Sequence, residues 1–357
     1  MQYKKTAYQF YNYRRFLLFS QLLLGALLWV PQASLAYQLD VFGTISTQLE
    51  SVSPDTENND DYTNFRDAYT RVAFKLGHDF GQGANAFALI ELPFDTVNLE
   101  LNNSYDRHRK VFDSTERLAY LQLDLPAYGS IWVGRGWEPY YSSVSASVDR
   151  FNSYYRGFAT YSVLRVDQAV VYSSPDFDGL NFSLMYSHKN GNKKSNGQYD
   201  NRNQLTVSYT FDDTKVGFGY TDTGGIQNQK LYGVSLSQKI DNFYVGAKYE
   251  RQQSNISDKN VFGHNGDEAI NLFVEYTSGL HTFKSHIANV DNFGEDILHL
   301  GYDYQYDTHV KMFVEYYQEQ TGAGITREIN GATDTYWREG GRVLLVGFSF
   351  DFSKKLF

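Results

Sequence analysis

Residues 204–220 read Gln204-Leu205-Thr206-Val207-Ser208-Tyr209-Thr210-Phe211-Asp212-Asp213-Thr214-Lys215-Val216-Gly217-Phe218-Gly219-Tyr220. In an extended chain Leu205, Val207, Tyr209 and Phe211 fall on one side and Gln204, Thr206, Ser208 and Thr210 on the other. This two-residue period is that of a strand with two unlike faces. After the short Asp212-Asp213 link the pattern resumes, with Val216, Phe218 and Tyr220 set against Lys215, Gly217 and Gly219.

The alternation recurs along the chain, in Val72/Phe74/Leu76, Leu180/Phe182/Leu184/Tyr186, Tyr232/Val234/Leu236, Ile270/Leu272/Val274/Tyr276, Leu298/Leu300/Tyr302/Tyr304 and Val310/Met312/Val314/Tyr316. Beyond residue 37 no helical spacing of comparable length competes with it. Sixteen strands are predicted, at 37–49, 66–77, 83–92, 115–125, 129–135, 165–174, 179–188, 202–211, 214–221, 230–240, 242–251, 268–277, 280–289, 296–306, 308–318 and 342–352. The segment 280–289 fits least well, because Lys284 and His286 share one parity. Seven tight links alternate with eight mostly long ones, among them 93–114, 136–164 and 319–341. That is the layout of an up-and-down meander whose two ends face different compartments. A soluble sandwich also alternates, but sixteen strands exceed what an open twisted sheet usually sustains. Closure in a bilayer satisfies every backbone amide and leaves no edge. The expected fold is all-β: a 16-stranded antiparallel transmembrane β-barrel with its apolar parity toward lipid and its polar parity lining a water-filled lumen.

This arrangement reconciles 30 tyrosines and 26 phenylalanines with a mean hydropathy of -0.48, since large rings occupy every second position without forming long apolar runs. Tyr186, Tyr209, Tyr220, Tyr276, Tyr302 and Tyr316 sit toward strand ends, where an amphipathic ring suits the headgroup interface. The absence of cysteine excludes disulfides, zinc–thiolate sites and iron–sulfur centres. Near the N-terminus Lys4, Lys5, Arg14 and Arg15 precede the apolar stretch Phe16–Val30, and Ser34-Leu35-Ala36 supplies small residues for cleavage. Residues 1–36 therefore read as a secretory signal peptide, leaving 37–357 as the barrel; a single transmembrane anchor would need a longer apolar run. Removing its four basic residues makes the net charge of -9 still more negative, and nothing supports a nucleic-acid partner.

Val343-Leu344-Leu345-Val346-Gly347-Phe348-Ser349-Phe350-Asp351-Phe352 resembles the closing strand of Gram-negative outer-membrane general diffusion porins. So do Ser174-Pro175-Asp176-Phe177-Asp178-Gly179, Val133-Gly134-Arg135 and Ala68-Tyr69-Thr70-Arg71 in their own places. The resemblance implies a homotrimer in the outer membrane, in contact with lipid and lipopolysaccharide, that passes small hydrophilic solutes and ions. It also implies that the barrel assembly machinery reads a terminal aromatic, for which Phe352 and Phe357 are both candidates. The third long loop, 136–164, would fold into the lumen as a constriction, with Asp149 as its central acid. Arg71 and Arg117 on the wall and Arg156 after the loop would oppose it, with Glu91 nearby. Thr44 stands where many relatives place a lysine.

Two further readings stand beside this one. Tyr140, Tyr141, Tyr154 and Tyr155 on the same loop could form a sliding track for oligosaccharides in a substrate-selective channel. An enzyme would need convergent chemistry, and the eight histidines are scattered, with no two-histidine zinc spacing and no Gly-x-Ser-x-Gly elbow. Asp55, Glu57, Asp60 and Asp61 lack the spacing of a calcium loop and suggest at most divalent bridging to lipopolysaccharide phosphates. No cofactor or resident metal is expected.

Overall fold

The computed structural model describes residues 37–55, 60–103, 106–110, 117–325 and 340–356. Residues 1–36, read from the sequence as a signal peptide, and Glu57 and Phe357 lie outside them. Sixteen strands form the barrel: β1 (Tyr37–Pro54), β2 (Tyr62–Asp67 and Arg71–Gly81, interrupted by three residues), β3 (Ala84–Pro93), β4 (Leu118–Leu125), β5 (Gly129–Trp137), β6 (Arg165–Ser173), β7 (Leu180–Ser187) and β8 (Arg202–Phe211). They continue with β9 (Thr214–Asp222), β10 (Lys230–Ile240), β11 (Phe243–Gln253), β12 (Glu268–Ser278), β13 (His281–Val290), β14 (Glu295–Gln305), β15 (Val310–Glu319) and β16 (Gly341–Lys355). Each pairs antiparallel with its neighbours in sequence, and β16 returns to β1 in a register running from Asp40↔Lys355 to Pro54↔Gly341. The sheet is therefore closed. The predicted strands stand where the alternation placed them, with β1, β2 and β16 longer than expected. Two-residue turns at Asp212–Asp213 and Asp241–Asn242 begin at φ +48° and +50°, the left-handed start that tight hairpins need and that aspartate tolerates.

The two parities separate as expected over most of the wall. Leu205 and Tyr209 are 38% and 45% exposed, whereas Gln204 and Thr206, on either side of Leu205, are 4% and 1% exposed. The outward rings pair across strands, Tyr220 with Tyr232 (centroids 5.1 Å apart), Phe243 with Tyr276 (4.7 Å) and Phe283 with Tyr302 (5.2 Å). The inner face is not uniformly polar, which corrects the expectation for the lumen. Phe273, Phe313, Tyr317, Val343 and Leu345 point inward and are fully buried. They pack against residues 138–164, the third loop, which occupies the lumen and needs a dry surface to rest on.

This loop, L3, carries a short helix α1 (Pro139–Ser143) and a single 3-10 turn (Ser145–Ser147). Glycines let it approach the wall. A Cβ at Gly219 would lie 2.4 Å from the Tyr140 ring, and one at Gly233 2.0 Å from its hydroxyl oxygen. Both positions face inward, where even a methyl group would collide with the ring.

Buried charged groups then fasten the loop. The Gln48 side-chain carbonyl accepts the Tyr154 N–H (3.0 Å), and Glu50, paired with Arg66 at 2.6 Å, accepts the Tyr155 hydroxyl (3.1 Å). Glu250 accepts Thr160 Oγ1 (2.7 Å) and the Tyr161 N–H (3.2 Å), while its partner Lys248 donates to the Ala159 carbonyl (2.8 Å). Glu315 accepts the N–H groups of Asn152 and Ser153 at 2.9 and 3.3 Å. Lys284 donates to the Arg150 carbonyl (2.8 Å) and pairs with Asp303 (2.6 Å). The odd parity of its strand therefore marks a loop anchor. Each N–H that L3 carries into the barrel would cost about 1–3 kcal/mol if left without an acceptor, and the wall's carboxylates remove that cost.

Two outcomes test this architecture. Val234→Arg on the lipid face will lower stability by about 2–4 kcal/mol in urea unfolding from vesicles. Gln122→Arg, inward and beside Asp124, will change it by less than about 1 kcal/mol. Gly233→Val will displace Tyr140 at a cost of about 1–3 kcal/mol and make the folded barrel cleavable by trypsin after Arg150 or Arg156, where the parent chain resists.

Candidate functional site

The break in β2 creates the platform of the site. Ala68, Tyr69 and Thr70 leave the ladder, and Tyr69 takes φ +65°. Asp67 holds the break, accepting the Thr70 N–H (3.0 Å) and the Thr96 hydroxyl (2.9 Å). Tyr69 turns inward, donates its hydroxyl to the Tyr154 carbonyl (2.8 Å) and stacks on the Tyr154 ring at 5.7 Å. Two guanidiniums rest over the Tyr69 ring, that of Arg156 at 4.8 Å from its centre and that of Arg117 at 5.7 Å. Such contact shields one face of a guanidinium and leaves its edge donors available.

Glu91, inward on β3, binds Arg117 at 2.7 Å and lies 3.6 Å from Arg71. Arg71 also donates to the Tyr69 carbonyl (3.0 Å). At the far end of L3, Arg165 lies over the Trp137 indole at 4.9 Å, and Trp137 stacks on Tyr141 at 4.5 Å. The Tyr141 hydroxyl donates to Asp149 (3.1 Å). Burial, reinforced by that carboxylate, holds the Tyr141 phenol well above its ordinary value, so it remains a donor. Among the described residues neither Arg156 nor Arg165 has a salt-bridge partner.

Arg71, Glu91, Arg117, Asp149 and Arg156 thus line one cavity of about 1350 Å³, and Tyr141 faces it too. Tyr140, Tyr154 and Tyr155 do not. They are 0%, 0% and 1% exposed, spent on seating L3 against the wall, so three of the four rings anticipated as a sliding track have no surface to offer a solute. Thr44 donates to Asp351 (2.6 Å) and adds no charge. Sequence reading passed over Tyr69, Trp137 and Arg165. Arg165 is the one with a usable signal, a basic residue closing the loop; Tyr69 depends on a strand break that alternation does not reveal. Phe352 lies within β16 opposite Gly43, and the strand runs on to Lys355. Among the described residues no group of three or more histidine, aspartate or glutamate side chains is placed to hold a metal ion.

Comparison with known proteins bears on the same features. The family model described as Gram-negative porin matches residues 24–324. The chain is 26% identical over 224 residues to outer membrane protein F of Serratia marcescens, covering 60% of this chain and 56% of that one. It is 25% identical over 223 residues to outer membrane porin PhoE of Enterobacter cloacae, covering 60% and 59%. The chain thus spans a little under three fifths of the length of these curated relatives. Among solved structures, an anion-selective porin from Comamonas acidovorans superposes with a TM-score of 0.67 at 13% identity, covering 89% of this chain and 100% of that one. Salmonella typhi OmpF, solved in complex with daunomycin, gives 0.66 at 18% identity, covering 88% and 97%. At these identities the structural likeness speaks to the fold, and the family match over most of the chain, joined to the closed barrel, establishes that this outer-membrane protein belongs to the Gram-negative porin family.

Proposed function

We propose that the chain forms a passive outer-membrane channel for ions and small hydrophilic solutes, preferring anions. The observation that carries this reading is the constriction. Arg71, Arg117, Arg156 and Arg165 line one cavity beside L3 together with Glu91 and Asp149, and low-dielectric walls strengthen their field relative to bulk water. Charge rings of this kind tune ion preference without a chemical step. The four arginines outnumber the carboxylates of Glu91, Asp149 and Glu295 in the lining, and Arg156 and Arg165 carry no salt bridge among the described residues. The charges on outer loops count for less, because physiological salt screens them beyond about 8 Å.

The names of the curated relatives, one an outer membrane protein and the other an outer membrane porin, support the same reading. So does the burial of Tyr140, Tyr154 and Tyr155, which removes the main support for an oligosaccharide track. The proposal includes a homotrimer, contact with lipopolysaccharide at the outer rim, and recognition of the β16 end by the assembly machinery, with Phe352 in the apolar parity of Phe348 and Phe350.

Planar-bilayer recording in a salt gradient tests it. The parent channel will show ohmic current and a reversal potential on the anion-selective side. Arg71→Ala combined with Arg117→Ala leaves Glu91 unpaired and will shift the permeability ratio several-fold toward cations. An unchanged reversal potential would exclude this constriction as the selectivity element.

A further inference from the structure

The cavity at the constriction has two unlike walls. One is built by β2 to β6 and carries Arg71, Arg117 and Arg165, with Arg156 of L3 laid against it over Tyr69. The other comes from the loops after β11 and β13, residues 254–267 and 291–294, which contribute Val261, Phe262 and Phe293 to the same lining. In a closed ring of sixteen strands the β11–β12 and β13–β14 loops stand about half the circumference from β4 to β6, so the two walls face one another. Phe262 meets Phe293 at 5.4 Å and Tyr161 at 5.7 Å, and Phe293 meets Phe158 at 6.5 Å. Phe262 is nonetheless 45% exposed, an aromatic surface turned toward the passage rather than toward lipid. Glu295 shares this side of the lining, and its carboxylate accepts the Asn292 N–H (2.8 Å).

Arg156 and Arg165 line the same cavity, each laid over an aromatic face and without a salt bridge among the described residues. An inorganic anion would use the guanidiniums and leave the rings in water. A neutral aromatic would use the rings and leave two desolvated cations unpaired, which is costly. A solute with a carboxylate at one end and a single ring at the other satisfies both walls, by charge-assisted hydrogen bonds to a planar guanidinium and by ring-on-ring contact. Pockets of this size with an apolar side and a few convergent polar groups are where small ligands are held.

We propose that this cavity is a binding site for small aromatic carboxylates, with the carboxylate at Arg156 and Arg165 and the ring against Phe262 and Phe293. The inference rests on the channel reading, since it names the solute class that the constriction retains as it passes.

Benzoate is the probe, with acetate, benzyl alcohol and benzylammonium as comparators at equal ionic strength. In single-channel recording benzoate will reduce the open current at concentrations at least tenfold below those at which acetate does, and neither benzyl alcohol nor benzylammonium will match it. Isothermal titration of the folded detergent-solubilised protein will show the same order. Phe262→Ala will erase the margin of benzoate over acetate, each variant being referred to its own current in acetate. Arg156→Gln with Arg165→Gln will raise the half-blocking benzoate concentration at least tenfold. Equal behaviour of benzoate and acetate in both measurements overturns the proposal, as does benzylammonium acting as strongly as benzoate. If no conductance is seen with any solute, the channel reading fails instead, and calorimetry still decides the binding site by the same comparison.

Discussion

No backbone amide can be left unpaired in hydrocarbon, and the structure follows from that constraint. The sheet must close, and it does so along the long β1–β16 seam. Sixteen strands enclose a lumen too wide for inward side chains to fill. The chain fills part of it with L3, which carries fresh N–H and carbonyl groups into the barrel. Those groups raise the original demand again, now inside the wall, and Gln48, Glu250 and Glu315 meet it for the N–H groups. The open cavity is what remains where this fastening stops.

Two populations of charge result, with different work. Arg66 with Glu50 and Lys248 with Glu250 are sealed between loop and wall, and a permeating solute never meets them. Such pairs are poor evidence for added stability but expensive to break from one side, by about 3–5 kcal/mol. Arg156 over Tyr69 and Arg165 over Trp137 line the open cavity. Rings support these two in place of carboxylates, which fixes their position without cancelling their charge. The net charge of the chain therefore says little about the pore, because the field that a solute feels is set by a few groups selected through burial.

The barrel could be read from the chain because alternation is a local signal, repeated in every strand. Leu205 and Gln204 announce their faces with no knowledge of their neighbours. The interior is another matter. Phe313 and Leu345 break the polar parity for a reason that lies on L3, far away in sequence, and Gly219 and Gly233 look like neutral polar-face residues until the Tyr140 ring is placed on them. Arg71, Glu91, Arg117, Asp149 and Arg156 were reachable by resemblance, and the cavity brings them together. Tyr69 and the Tyr154 ring stacked on it were not, since both depend on a three-residue departure from the ladder in β2. Lys284 is the intermediate case: its parity was visibly odd, and only the Arg150 carbonyl explains it.

The fastening of L3 also has a mechanical meaning. A thin-walled tube resists stretching along its strands but is soft to flattening, since ovalising it bends the sheet without breaking a hydrogen bond. L3 is bonded to β1, β8, β11 and β15, through Gln48, Gln204, Glu250 and Glu315. A segment tied at points spread around the circumference is a strut. Squeezing by lipid or by a neighbouring molecule must then strain those bonds before it narrows the passage. The bore is decoupled in this way from the lateral pressure of the bilayer in which the wall is embedded.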